Sequence, residues 1–332
     1  MRKTLVFGGA GFVGLNIAER LLAEGEAVVL FDRLPLPAAA TATFAALPGS
    51  LEVLQGDVTD VDAITRAMTY EVDTVVLGSA VTADAARETR DPETILQINL
   101  MALTPILRAA RDGDVRRVIN LSSAAAYGLA AMGVAMVDED TPPLPVGLYG
   151  ITKFGSEMIG RRLADLWSLD FVSLRLSGVF GPWERATGVR DTTSPQFQIT
   201  EAARRGTPAL LARPGVRDWV YAPDVARAVH AVAGAEALEH RVYNVSSSTS
   251  WSALAWGERL AALRPGFECR LVRDGEAPTI ELHASADRAP LSVARLQAEL
   301  GWQAAFAMET SADHLAAWCA RCGSTSKGSS CD

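Results

Sequence analysis

Short strand-like runs alternate with helix-like segments through the first 180 residues, and this alternation restricts the fold more than any other feature of the chain. Six runs rich in aliphatic and β-branched residues are typical of buried strands: 3–7, 27–31, 51–55, 74–77, 115–121 and 171–176. Four segments between them carry apolar residues at helical spacing: 12–23, 61–69, 92–111 and 148–166. The alternation predicts βαβ units, and therefore an α/β fold whose doubly wound parallel sheet is covered by helices on both faces.

The pattern changes near Gly181, where proline and glycine become frequent. Helical spacing recurs at 224–235, 252–263 and 292–300, and short strand-like runs lie at 242–245 and 270–273. We therefore expect a first domain over 1–180 and a smaller mixed lobe over 181–322, from which some segments return to the sheet. Residues 323–332 are rich in glycine and serine and are expected to form a flexible tail.

Composition excludes several classes of protein. Hydrophobic residues make up 49% of the 332 and charged residues 21%, which is typical of a globular protein and not of a disordered chain. The formal net charge is −8 and no basic block stands out, so we expect no nucleic-acid partner. Every apolar stretch is broken well short of about 18 residues, and no secretory pattern follows Met1. These features predict a cytoplasmic protein without a membrane span.

Two of the four cysteines, Cys319 and Cys322, have the spacing of a redox or metal-binding pair. No second pair accompanies them, and they lie near the end of the chain outside any βαβ unit. We therefore interpret them as ordinary thiols on a terminal helix and expect no metal site.

A glycine-rich turn joins the first strand to the first helix. Gly8, Gly11 and Gly14 are spaced three residues apart, with Phe12 and Val13 between the last two. Such a turn lets the backbone approach a pyrophosphate, and the helix that follows offers its N–H groups and the positive end of its dipole. The position of the turn after a first strand and before a second one predicts a dinucleotide-binding site.

An acidic residue, Asp32, ends the second strand 18 positions after Gly14. A carboxylate there accepts hydrogen bonds from both adenosine ribose hydroxyls and repels a 2′-phosphate, which favours NAD over NADP. Arg33 beside it weakens that preference. The alternative is that Asp32 is a plain turn residue at a strand end.

Small and polar residues also follow the third and fourth strands. Asp57 and Val58 follow the third, where a carboxylate can read an adenine amino group, although Asp57 can equally be a turn residue or a helix cap. Gly78, Ser79 and Ala80 follow the fourth and leave room for a dinucleotide. Because the carboxyl ends of parallel strands share one edge of a sheet, we expect all of these residues to line one site.

A candidate proton-transfer set follows in the chain. Tyr149 and Lys153 are four residues apart on one helix, so the phenol and the ammonium share a face. The cation favours the phenolate, which lets Tyr149 act as a base near neutral pH, and Lys153 can also bind the nicotinamide ribose. Ser123, at the end of the preceding strand, is placed to polarise the same substrate oxygen. Together they predict hydride chemistry, with Tyr149 taking the hydroxyl proton.

These motifs resemble the extended short-chain dehydrogenase/reductase family, in particular its NAD-dependent sugar epimerase/dehydratase group. The segments that carry the resemblance are 8–14 (GGAGFVG), 122–128 (SSAAAYG), 149–153 (YGITK) and 217–224 (RDWVYAPD). The resemblance implies a Rossmann fold, a tightly held NAD, and Tyr149, Lys153 and Ser123 as catalytic residues. It also implies that Asn99 supports the cofactor side of the site, the alternative being a helix-surface amide. A homodimer through helices 92–111 and 148–166 is implied as well.

Departures from the family pattern narrow the reaction. After the catalytic Ser or Thr, dehydratases of this group carry Asp and Glu, and decarboxylases carry a Glu, where this chain has Ala124 and two further alanines. Elimination and decarboxylation therefore lack their usual groups, which leaves epimerisation or simple oxidation. Ser177 stands where nucleotide-sugar enzymes carry Asn. Arg217 matches an arginine that binds substrate diphosphate, and Arg288 is a second candidate, unless either forms a structural ion pair.

Three hypotheses follow from these residues. The first is an epimerase of a sugar, in particular a nucleotide sugar, that works through a transient ketone. The second is a dehydrogenase of a sugar, a sugar acid or another small hydroxy compound that releases NADH. The third is a non-catalytic NAD-binding regulatory protein, against which the intact Ser123, Tyr149 and Lys153 argue.

Overall fold

A seven-stranded parallel sheet forms the centre of the computed structural model, which describes residues 2–284 and 286–324. The strands of the described part are β1 (Lys3–Phe7), β2 (Ala27–Asp32), β3 (Ser50–Gln55), β4 (Thr74–Leu77), β5 (Arg117–Ser123), β6 (Phe171–Leu176), β7 (Val179–Phe180), β8 (Ala209–Leu211), β9 (Val216–Arg217), β10 (Val220–Tyr221), β11 (Val242–Val245), β12 (Trp251–Ser252) and β13 (Cys269–Leu271). The central sheet has the order β11-β6-β5-β4-β1-β2-β3, and the predicted doubly wound parallel sheet is confirmed.

Helices cover both faces of this sheet. They are α1 (Phe12–Ala23), α2 (Ala38–Phe44), α3 (Val61–Met68), α4 (Ala85–Arg90), α5 (Pro92–Leu96), α6 (Leu103–Asp112), α7 (Leu148–Trp167), α8 (Pro195–Arg205), α9 (Ala222–Gly234), α10 (Ala253–Leu263), α11 (Ala294–Leu300) and α12 (Met308–Ser324). None of the helices between residues 2 and 324 is long and apolar enough to cross a membrane.

Alternate residues of the central strands pack into two hydrophobic cores, one on each face of the sheet. In β1, Val6 packs into the core beneath α1 and α9, whereas Leu5 and Phe7 pack into the core beneath α3 and α6. Successive side chains of a strand point to opposite faces, so a strand that is apolar throughout must be covered on both sides. This is the physical reason for the layered fold predicted from the sequence.

The predicted helix over 92–111 is interrupted, which corrects that prediction. A π-helical turn, Gln97–Met101, separates α5 from α6, and the Ala102 N–H donates to the Gln97 oxygen five residues back at 3.0 Å. The extra residue rotates Asn99 towards the sheet, where it is buried. Helical spacing alone does not reveal a single inserted residue.

Three smaller differences concern element ends. The predicted strand at 115–121 lies two residues later, so that Ser123 ends β5, because the Val115 N–H still closes α6 on Ala110. The strand expected at 270–273 is Cys269–Leu271, paired with β8. The helix α12 continues to Ser324 and so includes the start of the predicted tail; 325–332 lie outside the described residues.

The chain beyond residue 181 contributes both to the sheet and to a separate layer. Strand β11 pairs with β6 at the edge of the central sheet, and α9 packs on α1. Helices α8 and α10 pack on each other beside the short strand pair of β8 and β13. The carboxyl-terminal α12 docks back through Trp318, whose ring contacts that of Trp183 edge to face. Cys319 is half-buried on this helix.

Candidate active site

The glycine turn brings the chain into contact with the neighbouring strand end. Gly8 has a φ of +77°, and a Cβ atom there would lie 2.7 Å from the backbone of Gly78 and Ser79. A Cβ at Gly14 would lie 2.3 Å from the Gly8 oxygen. Helix α1 then begins after Gly11 without a side-chain cap, which leaves the N–H groups of its first turn open to an anion.

A cleft of about 650 Å³ opens beside this turn at the carboxyl edge of the sheet. Nine of the predicted cofactor residues line it: Gly8, Gly11, Asp32, Arg33, Asp57, Val58, Gly78, Ser79 and Ala80. Phe12 and Val13 occupy the first turn of α1 next to it. A glycine floor with no side chains and a carboxylate at one end fit the pyrophosphate and a ribose of a dinucleotide.

The Asp32 carboxylate is oriented by backbone donors on both sides. Ala10 of the glycine turn donates to Oδ2 at 3.0 Å, and the Leu34 N–H donates to Oδ1 at 2.9 Å. Asp32 is therefore a strand-end turn residue and a cleft residue at once. Each oxygen keeps a further lone pair for a hydroxyl donor.

Asp57 is a turn residue and not a helix cap. Its Oδ1 accepts hydrogen bonds from the backbone N–H and the hydroxyl of Thr59, at 2.9 and 2.8 Å. The cap of α3 is Asp60, whose side chain accepts from Asp62 and Ala63. The alternative of Asp57 as a cap is thus wrong, and the residue stays at the cleft wall.

Asn99 is buried and makes a paired contact with the chain after β4. Its Oδ1 accepts from the Val81 N–H at 2.7 Å, and its Nδ2 donates to the Val81 oxygen at 2.9 Å. A further bond joins Nδ2 to the Thr152 hydroxyl on α7. The alternative of a helix-surface amide is wrong, because Asn99 ties the cleft wall to α7.

A second pocket, with a mixed apolar and polar lining, adjoins the cleft at Lys153. Asn99, Asn120 and Ser156 line it together with Lys153, and Ser79 belongs to both spaces. The Lys153 ammonium donates to the Leu121 oxygen at 2.7 Å and lies 5.8 Å from the centre of the Tyr149 ring. Lys153 is buried, so its charge is weakly screened where it meets the phenol.

Tyr149 occupies the first turn of α7, which is fixed at its start by another helix. The Glu88 carboxylate on α4 accepts a hydrogen bond from the Leu148 N–H at 2.7 Å. Tyr149 itself is half-buried. The phenol is therefore held on a rigid helix and still reaches solvent-accessible space.

Ser123 ends β5 immediately beside the start of α7. Its Oγ accepts from the Ala125 N–H at 3.1 Å, which leaves the hydroxyl proton available. A Cβ at Gly150 would lie 2.6 Å from the Ala125 oxygen, so α7 packs directly on the turn after Ser123. Ala124, the predicted substrate contact, is buried in this turn.

Ser177 and Arg288 belong to a buried network around Asp218. The Ser177 hydroxyl donates to Asp218 and accepts from the Arg288 guanidinium at 2.7 Å. Arg288 pairs with the fully buried Asp218 carboxylate at 2.9 Å. The structural ion pair considered for Arg288 is therefore present, and substrate contacts by Ser177 or Arg288 stay predictions.

Arg217 is placed differently. Its guanidinium lies 5.2 Å from the centre of the Trp219 ring, and among residues 2–284 and 286–324 no carboxylate forms an ion pair with it. Burial and the neighbouring Arg288 lower the pKa of Arg217 to about 10. Asp218 and Asp287 act in the opposite direction, so they offset part of the positive charge that Arg217 offers to an anionic ligand.

A segment that we call the strap, residues 184–191, crosses the cofactor cleft. Thr187 and Val189 line the cleft from this side. The strap is joined to the chain after β4, because Thr82 donates to the Val189 oxygen at 2.9 Å and the Thr82 oxygen accepts from Asp191 at 3.1 Å. Arg87 closes the contact with an ion pair to Asp191 at 2.9 Å.

Two arginines of the strap face the glycine turn. The Arg185 guanidinium donates to the Ala10 oxygen. Arg190 lies 5.6 Å from the centre of the Phe12 ring and is bound by Glu184 at 2.8 Å. These contacts join segments about 175 residues apart, and no local sequence pattern indicates them.

One group of side chains in the described part has ligand atoms close enough together for a metal ion. Glu239, His240 and Glu299 offer such atoms within 4.8 Å of one another. Both oxygens of Glu299, however, accept hydrogen bonds, from the Glu239 N–H and from the Tyr243 hydroxyl, each at 2.6 Å. These hydrogen bonds join Glu299 to the residues around the start of β11, and none of the three side chains lines the cleft.

Comparison with known proteins identifies the family. The model of the NAD dependent epimerase/dehydratase family matches residues 4–246. A dTDP-glucose 4,6-dehydratase of Xanthomonas campestris pv. campestris is 25% identical over 93% of this chain and 90% of its own length. A UDP-glucose 4-epimerase of Mycolicibacterium smegmatis is 28% identical over 67% of this chain and 70% of its own.

A solved structure from the same family has the same fold as this chain. The UDP-glucose 4-epimerase of Thermus thermophilus, in complex with NAD, superposes with a TM-score of 0.75 at 27% identity, covering 95% of this chain and 99% of that one. The predicted family resemblance, the fold and the NAD cofactor are confirmed. The chain belongs to the NAD dependent epimerase/dehydratase family and is an NAD-dependent enzyme of the extended short-chain dehydrogenase/reductase type.

Proposed function

We propose that this enzyme is an epimerase of a nucleotide sugar. The observation that carries the proposal is the pairing of one proton-transfer group, Tyr149 with Lys153, with an adjoining turn of alanine residues that has no acid or base. Such a site removes and returns a hydride at one carbon without breaking a further bond of the sugar. Bound NAD supplies the hydride acceptor and then the hydride donor.

Tyr149 takes the proton of a substrate hydroxyl while a hydride leaves the carbon that bears this hydroxyl. That carbon becomes the carbonyl carbon of a ketone. Lys153 favours the phenolate through its charge, and Ser123 donates its free hydroxyl proton to the substrate oxygen. The ketone then rotates in the site. The hydride adds to its opposite face, and Tyr149 returns the proton to the oxygen. The proton and the hydride both return to the substrate, so no net oxidation occurs.

The turn after Ser123 distinguishes this reaction from dehydration. Elimination of a neighbouring hydroxyl needs one group to remove a carbon-bound proton and another to protonate the leaving oxygen. Ala124 and Ala126 are buried and carry only methyl groups. We therefore assign epimerisation to this chain, although its relatives include enzymes named as dehydratases.

The strap supports epimerisation over net dehydrogenation. A dehydrogenase must exchange NADH for NAD in each turnover, whereas an epimerase regenerates its cofactor in place. The Arg87–Asp191 ion pair and the two Thr82 backbone bonds hold the strap over the cleft. We infer that the cofactor is retained between turnovers, with Asp32 selecting NAD over NADP.

The proposed substrate is a sugar attached to a nucleoside diphosphate. Arg217 supplies a guanidinium that pairs with no described carboxylate, and it suits a diphosphate. Two of the relatives are named for nucleotide sugars, a UDP-glucose 4-epimerase and a dTDP-glucose 4,6-dehydratase, which supports this substrate class. Ser177 and Arg288 would then shape the wall behind Arg217 through Asp218.

Incubation of the enzyme with a panel of UDP- and dTDP-sugars tests the proposal, with products analysed by NMR and NADH followed by absorbance. We expect an epimer of one sugar and NADH below the enzyme concentration. Stoichiometric NADH would establish the dehydrogenase instead, loss of water would establish a dehydratase, and no turnover by an NAD-loaded protein would favour a regulatory protein.

We further propose that the enzyme is a cytoplasmic homodimer. Ile151, Met158 and Leu166 lie along one side of α7 and are 44%, 55% and 56% exposed. Leu96 and Met101, on the adjoining α5 and π-helical turn, are also exposed. An apolar stripe of this kind supports pairing of two helices from each subunit into a four-helix bundle. The cytoplasm is the proposed location because it holds a pool of NAD.

A further inference from the structure

A buried carboxylate, Glu157, shares the catalytic face of α7. It follows Lys153 by four residues as Lys153 follows Tyr149, so the three side chains stand one turn apart along one side of the helix. Glu157 is 4% exposed and Lys153 is 6% exposed. A bare negative charge here would interact strongly with the ammonium, because neither group is well screened by water.

The charge of Glu157 is matched by Arg175 from β6. The Arg175 guanidinium binds both carboxylate oxygens, with Nη2 at 2.7 Å from Oε2 and Nε at 3.0 Å from Oε1. Ser122, the residue before Ser123, donates a hydrogen bond from its hydroxyl to the same carboxylate. Burial alone would lower the pKa of Arg175, but the Glu157 carboxylate raises it above the ordinary value. The Glu157 carboxylate is therefore matched by two charge-assisted hydrogen bonds from one guanidinium.

Charged and titratable groups of other elements also contact α7 or the Glu157–Arg175 pair. Glu88 of α4 binds the Leu148 N–H. The Arg175 guanidinium also lies 4.6 Å from the centre of the Tyr127 ring. Burial raises the pKa of Tyr127, so this phenol stays neutral near pH 7. On α6, Arg111 stacks on Trp167 at the far end of α7.

We propose that Arg175 is a positioning residue of the proposed active site, which neutralises Glu157 and so leaves the charge of Lys153 to act on Tyr149. Without Arg175, the Glu157 carboxylate competes with Tyr149 for the ammonium one turn away. The phenol then loses the cation that favours its ionised form. This inference rests on the proposed role of Tyr149 as the base.

Ultraviolet titration of the phenolate measures this effect without a substrate. The spectrum of each protein minus that of the same protein carrying Tyr149→Phe isolates the ionisation of Tyr149. Three of the other tyrosines add little to the absorbance change, because burial raises the pKa of Tyr127, Tyr221 and Tyr243. We expect the phenolate of Tyr149 to form at a higher pH in Arg175→Met than in the wild type.

Matched variants separate charge from packing. Glu157→Gln, which leaves Arg175 unopposed, should lower the pKa of Tyr149, and Glu157→Gln combined with Arg175→Met should return it close to the wild-type value. Arg175→Lys keeps the charge and should change the pKa little. Circular dichroism and melting temperature show that each variant is folded. If Arg175→Met does not fold, the titrations of Glu157→Gln and of the double variant test the inference without it.

The inference is overturned if Glu157→Gln leaves the titration of Tyr149 at the wild-type position, or if the double variant does not return it towards that position. It is also overturned if Glu157→Gln and Arg175→Met shift the titration in the same direction. A merely structural pair would lower the melting temperature without these opposite shifts. Because the titration needs no turnover, failure of epimerisation and failure of this inference are seen separately. In an active enzyme, the pH at which the rate rises should move in the same direction as the titration.

Discussion

At the residue scale, the chemistry depends on three side chains that different elements bring together. Tyr149 and Lys153 come from α7, and Ser123 ends β5 against the first turn of that helix. Spacing within one helix made the Tyr149–Lys153 pair predictable from the sequence. Glu157 continues the same spacing, and the extension of the four-residue interval by one step would have found it.

Replacement of Tyr149 by Phe should lower the rate of epimerisation by about 10²- to 10⁴-fold, because the site loses the phenol that transfers the proton. NAD binding should change little, since the ring and the Lys153 contact to Leu121 remain. Initial rates and the NAD content of the purified protein check both parts. A variant with wild-type activity would remove Tyr149 as the base.

Asp32→Ala should weaken NAD binding by about 10- to 100-fold, because a charged acceptor for ribose hydroxyls is lost. The variant also loses the bond that orients Ala10 in the glycine turn. The preference for NAD over NADP should fall at the same time, whereas Asp57→Ala, at the neighbouring strand end, should keep it. Calorimetric titration with both dinucleotides measures this, and a wild-type preference for NADP would contradict it.

At the element scale, the order of strands and helices followed from periodicity, but two local features did not. The π-helical turn at Gln97–Met101 adds one residue to a helical pattern and leaves the spacing nearly unchanged. The strap contacts the glycine turn and Thr82 through pairs far apart in sequence. Local patterns report local structure, so contacts over about 100 residues need the folded chain.

Arg87→Ala should loosen the strap and speed NAD release by about tenfold. The ion pair to Asp191 is largely buried, and the same guanidinium also donates to the Gly188 oxygen at 2.9 Å. Exchange of bound NAD for a labelled copy measures the rate. Arg205→Ala, on the exposed end of α8, is the matched control and should release NAD at the wild-type rate. Equal rates in all three proteins would show that the strap does not retain the cofactor.

At the scale of the whole molecule, two helical layers on one sheet create both the site and the proposed dimer surface. The inward side of α7 carries Tyr149, Lys153 and Glu157, and its outward side carries exposed apolar residues. The fold class and the cofactor edge were predictable, because strand ends in a parallel sheet share one edge. The shape of the lobe over 181–322 was not predictable, since its strands are only two to four residues long.

Met158→Glu should shift the proposed dimer towards monomer, because it places a charge in the centre of an apolar stripe. Val53→Glu is the matched control, since Val53 is similarly exposed (51%) but lies on β3 at the other edge of the sheet. Light scattering coupled to size exclusion gives the mass of each. A monomeric wild type, or equal masses for all three proteins, would contradict the dimer.

Epimerisation through a transient ketone requires that the hydrogen removed from the sugar carbon returns to that same carbon. The most direct measurement uses the nucleotide sugar that turns over in the panel, with deuterium at the reacting carbon, and analyses the product by NMR and mass spectrometry. We predict that the epimer retains the deuterium at that carbon in unlabelled water, while NADH stays below the enzyme concentration. Loss of the deuterium to solvent, or its accumulation in released reduced cofactor, would contradict the proposed function.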